Sequence, residues 1–195
     1  MNINPFTPQR KAIGVNDKFG NAGIKMQQGS TVIKYDTLPV DGRTEFRFFE
    51  GSSQRNFPFS NTGSDGNKLG VGNTLVVERA YLSVVTTDPS TGDFDTVANI
   101  TLSSNVALLL AEFGLAIANT EVIKNVPIMS WLPEFNGDAE NQLNSNFEFD
   151  TQVVIPPLLE YVATVRVGQA YKAANTYLRL TIEGTGSIIA PRTTF

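Results

Sequence analysis

The side chains best placed for bond-making chemistry in this sequence are carboxylates. Glu112, Glu121, Glu148 and Asp150 offer a candidate pair, and two acids a few ångströms apart are what a glycosidase requires, one as general acid and one as base or nucleophile. Glu148 and Asp150 alternate with Phe147 and Phe149, so both are predicted to point off the apolar side of a strand, and a solvated strand face accounts for them. Asp88, Asp93 and Asp95 crowd one loop and invite a calcium reading. Their spacing does not follow the EF-hand pattern and no bidentate Glu closes it, so the loop reads as a solvated turn. Gly70-Val71-Gly72 lacks the third glycine of a dinucleotide fingerprint and precedes a strand, which makes it a turn as well. The chain contains neither His nor Cys. That removes the Ser-His-Asp arrangement, thiolate nucleophiles, the commonest zinc ligands and disulfides. The sequence therefore predicts no catalytic residues, no metal and no cofactor.

Charge is distributed unevenly. Of the 15 bases and 19 acids, residues 1–34 hold Arg10, Lys11, Lys18, Lys25 and Lys34 against Asp17 alone. The rest of the chain is correspondingly acidic. Residues 1–30 are rich in Asn, Gln, Gly and Lys and show no sustained period of 2 or 3.6, so they are predicted to form a flexible basic arm. Such an arm suits phosphates or a negative neighbouring subunit, and the five bases are the candidate contacts to nucleic acid or an inner partner. The opening residues carry no secretory pattern, so the sequon Asn99-Ile100-Thr101 is uninformative. No apolar run reaches the roughly 18 residues of a membrane-spanning helix.

The elements that would position these groups are strands. Period-2 alternation or β-branched runs occur at 31–35, closed by Asp36 and Pro39, and at 44–50, with Phe46 and Phe48 on one face and Phe49 on the other. Residues 74–85 form the longest strand, and a slip of parity between Val77 and Ala80 predicts a β-bulge. Gly114 disfavours a helix through 111–117, so a strand from about Ala111, preceded by a helical turn, is expected to make a hairpin with 121–127. Further strands read at 147–155, ended by Pro156-Pro157, at 160–167 and at 176–183. Two long polar loops interrupt them, near 51–72 and 130–145. Phe57 and Phe59 in the first are predicted to tuck under the loop or cover a neighbouring subunit. Trp131 opens the second, either pinned under its loop or presented to a subunit or, with Tyr161 or Tyr171, to a sugar.

About eight strands with loops of unequal length predict an all-β, antiparallel sandwich with Greek-key crossovers. The order of features resembles the single jelly-roll capsid proteins of tailless icosahedral bacteriophages. The matching elements are Thr44-Glu45-Phe46-Arg47-Phe48-Phe49, a Gly/Asn loop, Gly72-Asn73-Thr74-Leu75-Val76-Val77, the hairpin ending Val126-Pro127-Ile128, Val153-Val154-Ile155-Pro156-Pro157 and Tyr177-Leu178-Arg179-Leu180-Thr181-Ile182-Glu183-Gly184.

That resemblance implies an eight-stranded antiparallel jelly-roll β-sandwich over 31–187 with long loops, a flexible N-terminal arm at 1–30 and a C-terminal tail at 188–195. It implies a structural coat protein of the virion, made in the host cytoplasm, that assembles with copies of itself and other capsid proteins. The arm would then reach the genome nucleic acid or an internal membrane, and Phe57, Phe59 and Trp131 would serve subunit contacts. The length leaves room for one such sandwich, in a main-shell or a vertex role. A carbohydrate- or receptor-binding module of a spike or vertex is the alternative.

Overall fold

The computed structural model of the protein describes residues 28–50, 57–62, 67–71, 73–86, 88–90, 106–131 and 146–188. The described chain is all-β. In order it runs β1 (Gln28–Asp41), β2 (Glu45–Phe48), β3 (Thr74–Val85), a single helical turn α1 (Val106–Leu109), β4 (Glu112–Ile117), β5 (Thr120–Pro127), β6 (Asn146–Ile155), β7 (Tyr161–Arg166) and β8 (Lys172–Ile188). Among the described residues these form two four-stranded sheets, β1-β8-β3-β6 and β2-β7-β4-β5. All the pairings are antiparallel.

Alternation closes the two sheets over one core. Phe46 and Phe48 of β2, Phe113 and Leu115 of β4, and Ala163 and Val165 of β7 meet Leu75, Val77 and Leu82 of β3, Ile155 of β6 and Leu178, Leu180 and Ile182 of β8. Burial of such side chains, roughly 1.5–3 kcal/mol each, is what holds an antiparallel pair of sheets together. The predicted bulge in β3 is present. The register shifts between Val77 and Arg79 against both neighbours: against β8 Glu78 is the extra residue, against β6 the excess is residues 149–152 of β6, and Ala80 regains the core side. The β4–β5 hairpin turns on Ala118 (φ 49°) and Asn119 (φ 65°), two consecutive left-handed residues, the requirement of a type I′ turn.

Three expectations are corrected. β1 passes through Asp36 and Pro39, where the sequence reading stops it. It is an edge strand, so the N–H that Pro39 lacks is tolerable there, and β8 pairs with it from Ile188 as far as Lys172. β8 is accordingly longer than 176–183. Phe49 lies outside β2 and on no outer face: its left-handed backbone (φ 61°) swings the ring into the core, 5.3 Å from that of Tyr161. Residues 1–27 and 189–195, most of the predicted arm and tail, lie outside the described residues.

The connections gather at two ends. At one, Gly42 donates to the Tyr171 carbonyl and Val167 to that of Thr44, while Ile128 donates to Ala111. At the other, Tyr161 donates to Asn67, Leu158 to Leu69 and Ala118 to Glu160.

Candidate interaction surfaces

Of the basic residues singled out, Arg10, Lys11, Lys18 and Lys25 lie outside the described residues. Lys34 sits in β1 opposite Ile182, half-buried, with Nζ 3.5 Å from the carbonyl of Asn61. It is tied to the body of the protein rather than to the arm.

The segment 57–62 folds back across the free edge of β1 and onto the outer face of the β1-β8-β3-β6 sheet. Its key residue is Asn61, which imitates a strand neighbour with its side chain. Oδ1 accepts the Tyr35 N–H at 2.8 Å, Nδ2 donates to the Ile33 carbonyl at 2.8 Å, and the Asn61 N–H donates to the Tyr35 carbonyl. Ser60 Oγ donates to that same carbonyl at 3.1 Å. On the sheet face, Arg179 donates through Nε to Thr37 Oγ1 and through Nη2 to the Pro58 carbonyl, both at 2.9 Å, with its guanidinium 4.6 Å above the Tyr35 ring. Phe59 packs on Tyr177 at 6.1 Å. The two phenylalanines therefore part company: Phe59 is half-buried within its own chain, whereas Phe57 stands 83% exposed.

Trp131 requires a correction. As a surface ring for a subunit or a sugar it is unavailable: it is 1% exposed, edge-on to Phe113 at 5.0 Å and stacked on Phe147 at 5.8 Å. Tyr161, its suggested partner in stacking, is also a core residue, and burial followed by the nearby Asp36 charge pushes its hydroxyl pKa far upward. Because Trp131 is the sole tryptophan, intrinsic fluorescence is expected to be blue-shifted and shielded from iodide in the native protein and to become quenchable only on unfolding. Efficient native-state quenching would contradict this placement.

The carboxylates separate into two groups. Glu112 and Glu121 both line a shallow hollow on the outer face of the second sheet, floored by Gly114 and Thr164 and flanked by Lys124 and Arg166. Both acids are exposed, and Glu121 pairs with Lys124 at 3.5 Å. Glu148 lies on the other sheet, 3.3 Å from Arg79, and Asp150 is exposed beside it. In the acidic loop, Asp88 accepts the Ser90 hydroxyl at 2.7 Å and the Ser90 N–H at 2.8 Å, and these bonds hold its carboxyl below the usual range. This is a local turn. Asp93 and Asp95 lie outside the described residues, among which no group of three potential metal ligands occurs. Near Gly70 the chain turns through an Asn73 N–H to Gly70 carbonyl bond of 3.0 Å, exposing Val71.

Several residues that shape these surfaces carry no sequence signal of their own. Asn61 is one of many Asn residues in loops, and Arg179 alternates in a strand like any solvated base. Leu158 is the least legible: it takes a left-handed conformation (φ 63°) in the β6–β7 turn, where Gly or Asn would be unstrained, and remains 57% exposed. The chain matches no family model, no curated protein and no solved structure.

Proposed function

We propose that the protein is a coat subunit of an icosahedral virus, of the kind that encloses tailless bacteriophages, and that its work is structural rather than catalytic. The observation that carries this reading is the order of strands. Sheet β1-β8-β3-β6 faces sheet β2-β7-β4-β5, so every connection except the β4–β5 hairpin crosses from one sheet to the other. That winding supports the reading of an eight-stranded jelly roll, an architecture used by viral shells. A jelly roll also hosts other functions, so the site must agree. Here the candidate carboxylates are all exposed, Glu121 and Glu148 are paired with cations, and the features that stand out are edges, loops and exposed apolar tips.

In this reading the subunit assembles with copies of itself and with other capsid proteins in the virion after synthesis in the host cytoplasm. The basic residues preceding β1 meet genome nucleic acid or an internal membrane. The sugar-binding alternative loses its support, since two of its three aromatic rings, Trp131 and Tyr161, are in the core.

The test is assembly of the purified full chain, followed by sizing chromatography and negative-stain microscopy across protein concentration and salt. Closed shells or rings of fixed copy number are expected. A protein that stays monomeric throughout overturns the reading.

A further inference from the structure

A strand edge is a row of unpaired N–H and C=O groups, and folded proteins blunt such rows with charge, proline, bulges or brevity. The strands at the margins of the two sheets are β1, β6, β2 and β5. Three of them are blunted along their length. β2 has four residues. β5 carries Glu121, Lys124 and Pro127 and bulges opposite Gly114, with Asn125 left-handed at φ 48°. β6 carries Glu148 and Asp150 and loses its ladder over 149–152, which face Glu78 alone on β3.

β1 is guarded along only part of its 14 residues. Ile33, Tyr35 and Thr37 turn their backbone groups away from β8; Asn61 meets the Ile33 carbonyl, Asn61 and Ser60 meet both Tyr35 groups, and the Asp36 carboxylate accepts the Thr37 N–H at 3.0 Å. The same alternation turns the N–H and C=O of Gly29 and Thr31 outward. Among the described residues nothing meets them. This stretch, Gln28-Gly29-Ser30-Thr31-Val32, contains no charge and no proline, and it stays in unbroken register with β8 from the Gln28–Ile188 pair onward. A regular, neutral, unblunted edge is the one kind of edge that natural proteins keep for pairing.

We infer that this stretch of β1 pairs antiparallel with the same stretch of a second copy, about a two-fold axis at Ser30. An edge accepts another edge, and with the chain's other margins blunted, the matching edge in an assembly of identical chains is the same one. Such an isologous contact carries two-fold symmetry. The position of the axis follows from the guard. An axis at Thr31 would set Gly29 against the partner's Ile33, whose carbonyl Asn61 already occupies. An axis at Ser30 pairs Gly29 with the partner's Thr31 and Thr31 with the partner's Gly29, closing two complete rungs that end where Asn61 begins.

It also brings the two Ser30 side chains together. Ser30 Oγ is buried and has no hydrogen-bond partner. On the axis it occupies a non-hydrogen-bonded pair, where opposed Cα atoms approach to about 4.5 Å, within reach of a hydroxyl-to-hydroxyl bond. Two rungs make a small contact, suited to a shell in which many weak contacts act together. The inference rests on the self-assembly reading for the presence of a second copy and names one of its contacts.

The chain has no cysteine, so a single Ser30→Cys substitution gives an unambiguous cross-link, because the distance across such a pair lies within disulfide range. Oxidation of the full-length variant is expected to yield a covalent dimer at roughly ten times or more the level of a Thr120→Cys control at the exposed start of β5. Adding Thr31→Pro removes only an outward N–H, and is expected to return the yield to the control level with unchanged circular dichroism. Should that variant alter the dichroism, Thr31→Lys replaces it, placing like charges on both sides of the axis, with a loss of cross-linking that added salt relieves. Cross-linking no better than the control, or insensitive to both substitutions, overturns the β1 pairing. If shells or rings form normally without a Ser30 cross-link, this contact is wrong and the coat reading stands. A monomer under all conditions removes the coat reading itself.

Discussion

Gly184→Ala is expected to destabilise the protein by about 3 kcal/mol or more. Gly184 lies in β8, the strand between β1 and β3, opposite Val32 on one side and Val77 on the other. It sits beside the bulge that displaces Glu78. A Cβ at this position would run into the Val76 carbonyl oxygen, and would lie 2.8 Å from the Val76 carbonyl carbon and 3.0 Å from Val77 Cα. All three atoms are backbone, so relief requires the β3–β8 ladder to part at its bulge rather than a side chain to rotate. Urea unfolding followed by circular dichroism measures the effect. Gly168, with nothing within 4 Å of its would-be Cβ, supplies the control, and its Ala variant is expected to unfold within about 0.5 kcal/mol of the parent. Equal midpoints for the two variants would contradict the packing described.

The second large effect is expected at Asp36. This residue is 3% exposed, and its carboxylate accepts the Phe49 N–H at 2.8 Å and the Thr37 N–H at 3.0 Å. Phe49 holds a left-handed backbone that a bulky residue adopts only when its surroundings impose it. Asp36 Oδ2 is the group that imposes it. Asp36→Ala leaves two donors without partners, at roughly 1–3 kcal/mol for each one buried, and frees Phe49 to relax out of its contact with Tyr161. A loss of about 3 kcal/mol in urea unfolding is expected. Asp36→Asn keeps one accepting oxygen and is expected to lose about half as much. If the Ala variant unfolds within about 0.5 kcal/mol of the parent, Asp36 does not organise this corner.

How much of the fold could be read in advance depended on whether a residue's own neighbours in sequence dictated its conformation. Alternation placed Phe46, Phe48, Phe113 and Leu115 on core faces, and the parity slip after Val77 located the β3 bulge, because both follow from a period of two. The helical turn before β4 and the hairpin at Ala118-Asn119 were legible for similar reasons. The extent of β1 was not. Asp36 and Pro39 are local stop signals, overridden by pairing with β8 at the far end of the chain. Phe49 was misplaced because its left-handed backbone depends on a carboxylate 13 residues earlier. At the candidate surfaces, nothing local in the sequence separates the exposed Phe57 from the inward-turned Phe59, and Trp131 lies in the core because aromatic rings from β4 and β6 close around it. Asn61 as an edge guard had no local signature, since its partners lie 26 to 28 residues away.

The marriage of β1 to β8 sets a timetable for biosynthesis. β1 leaves the ribosome more than a hundred residues ahead of β8, its ladder partner among the described strands. At ordinary elongation rates of about 5–20 residues per second, β1 waits on the order of ten seconds with both of its margins bare. During that interval neither sheet can close, since β3 also awaits β8 and β2 awaits β7. Nascent chains on one polysome are thus kept from premature union only by whatever shelters β1, so yield in the cell should track chaperone supply more closely than the stability of the finished fold would suggest.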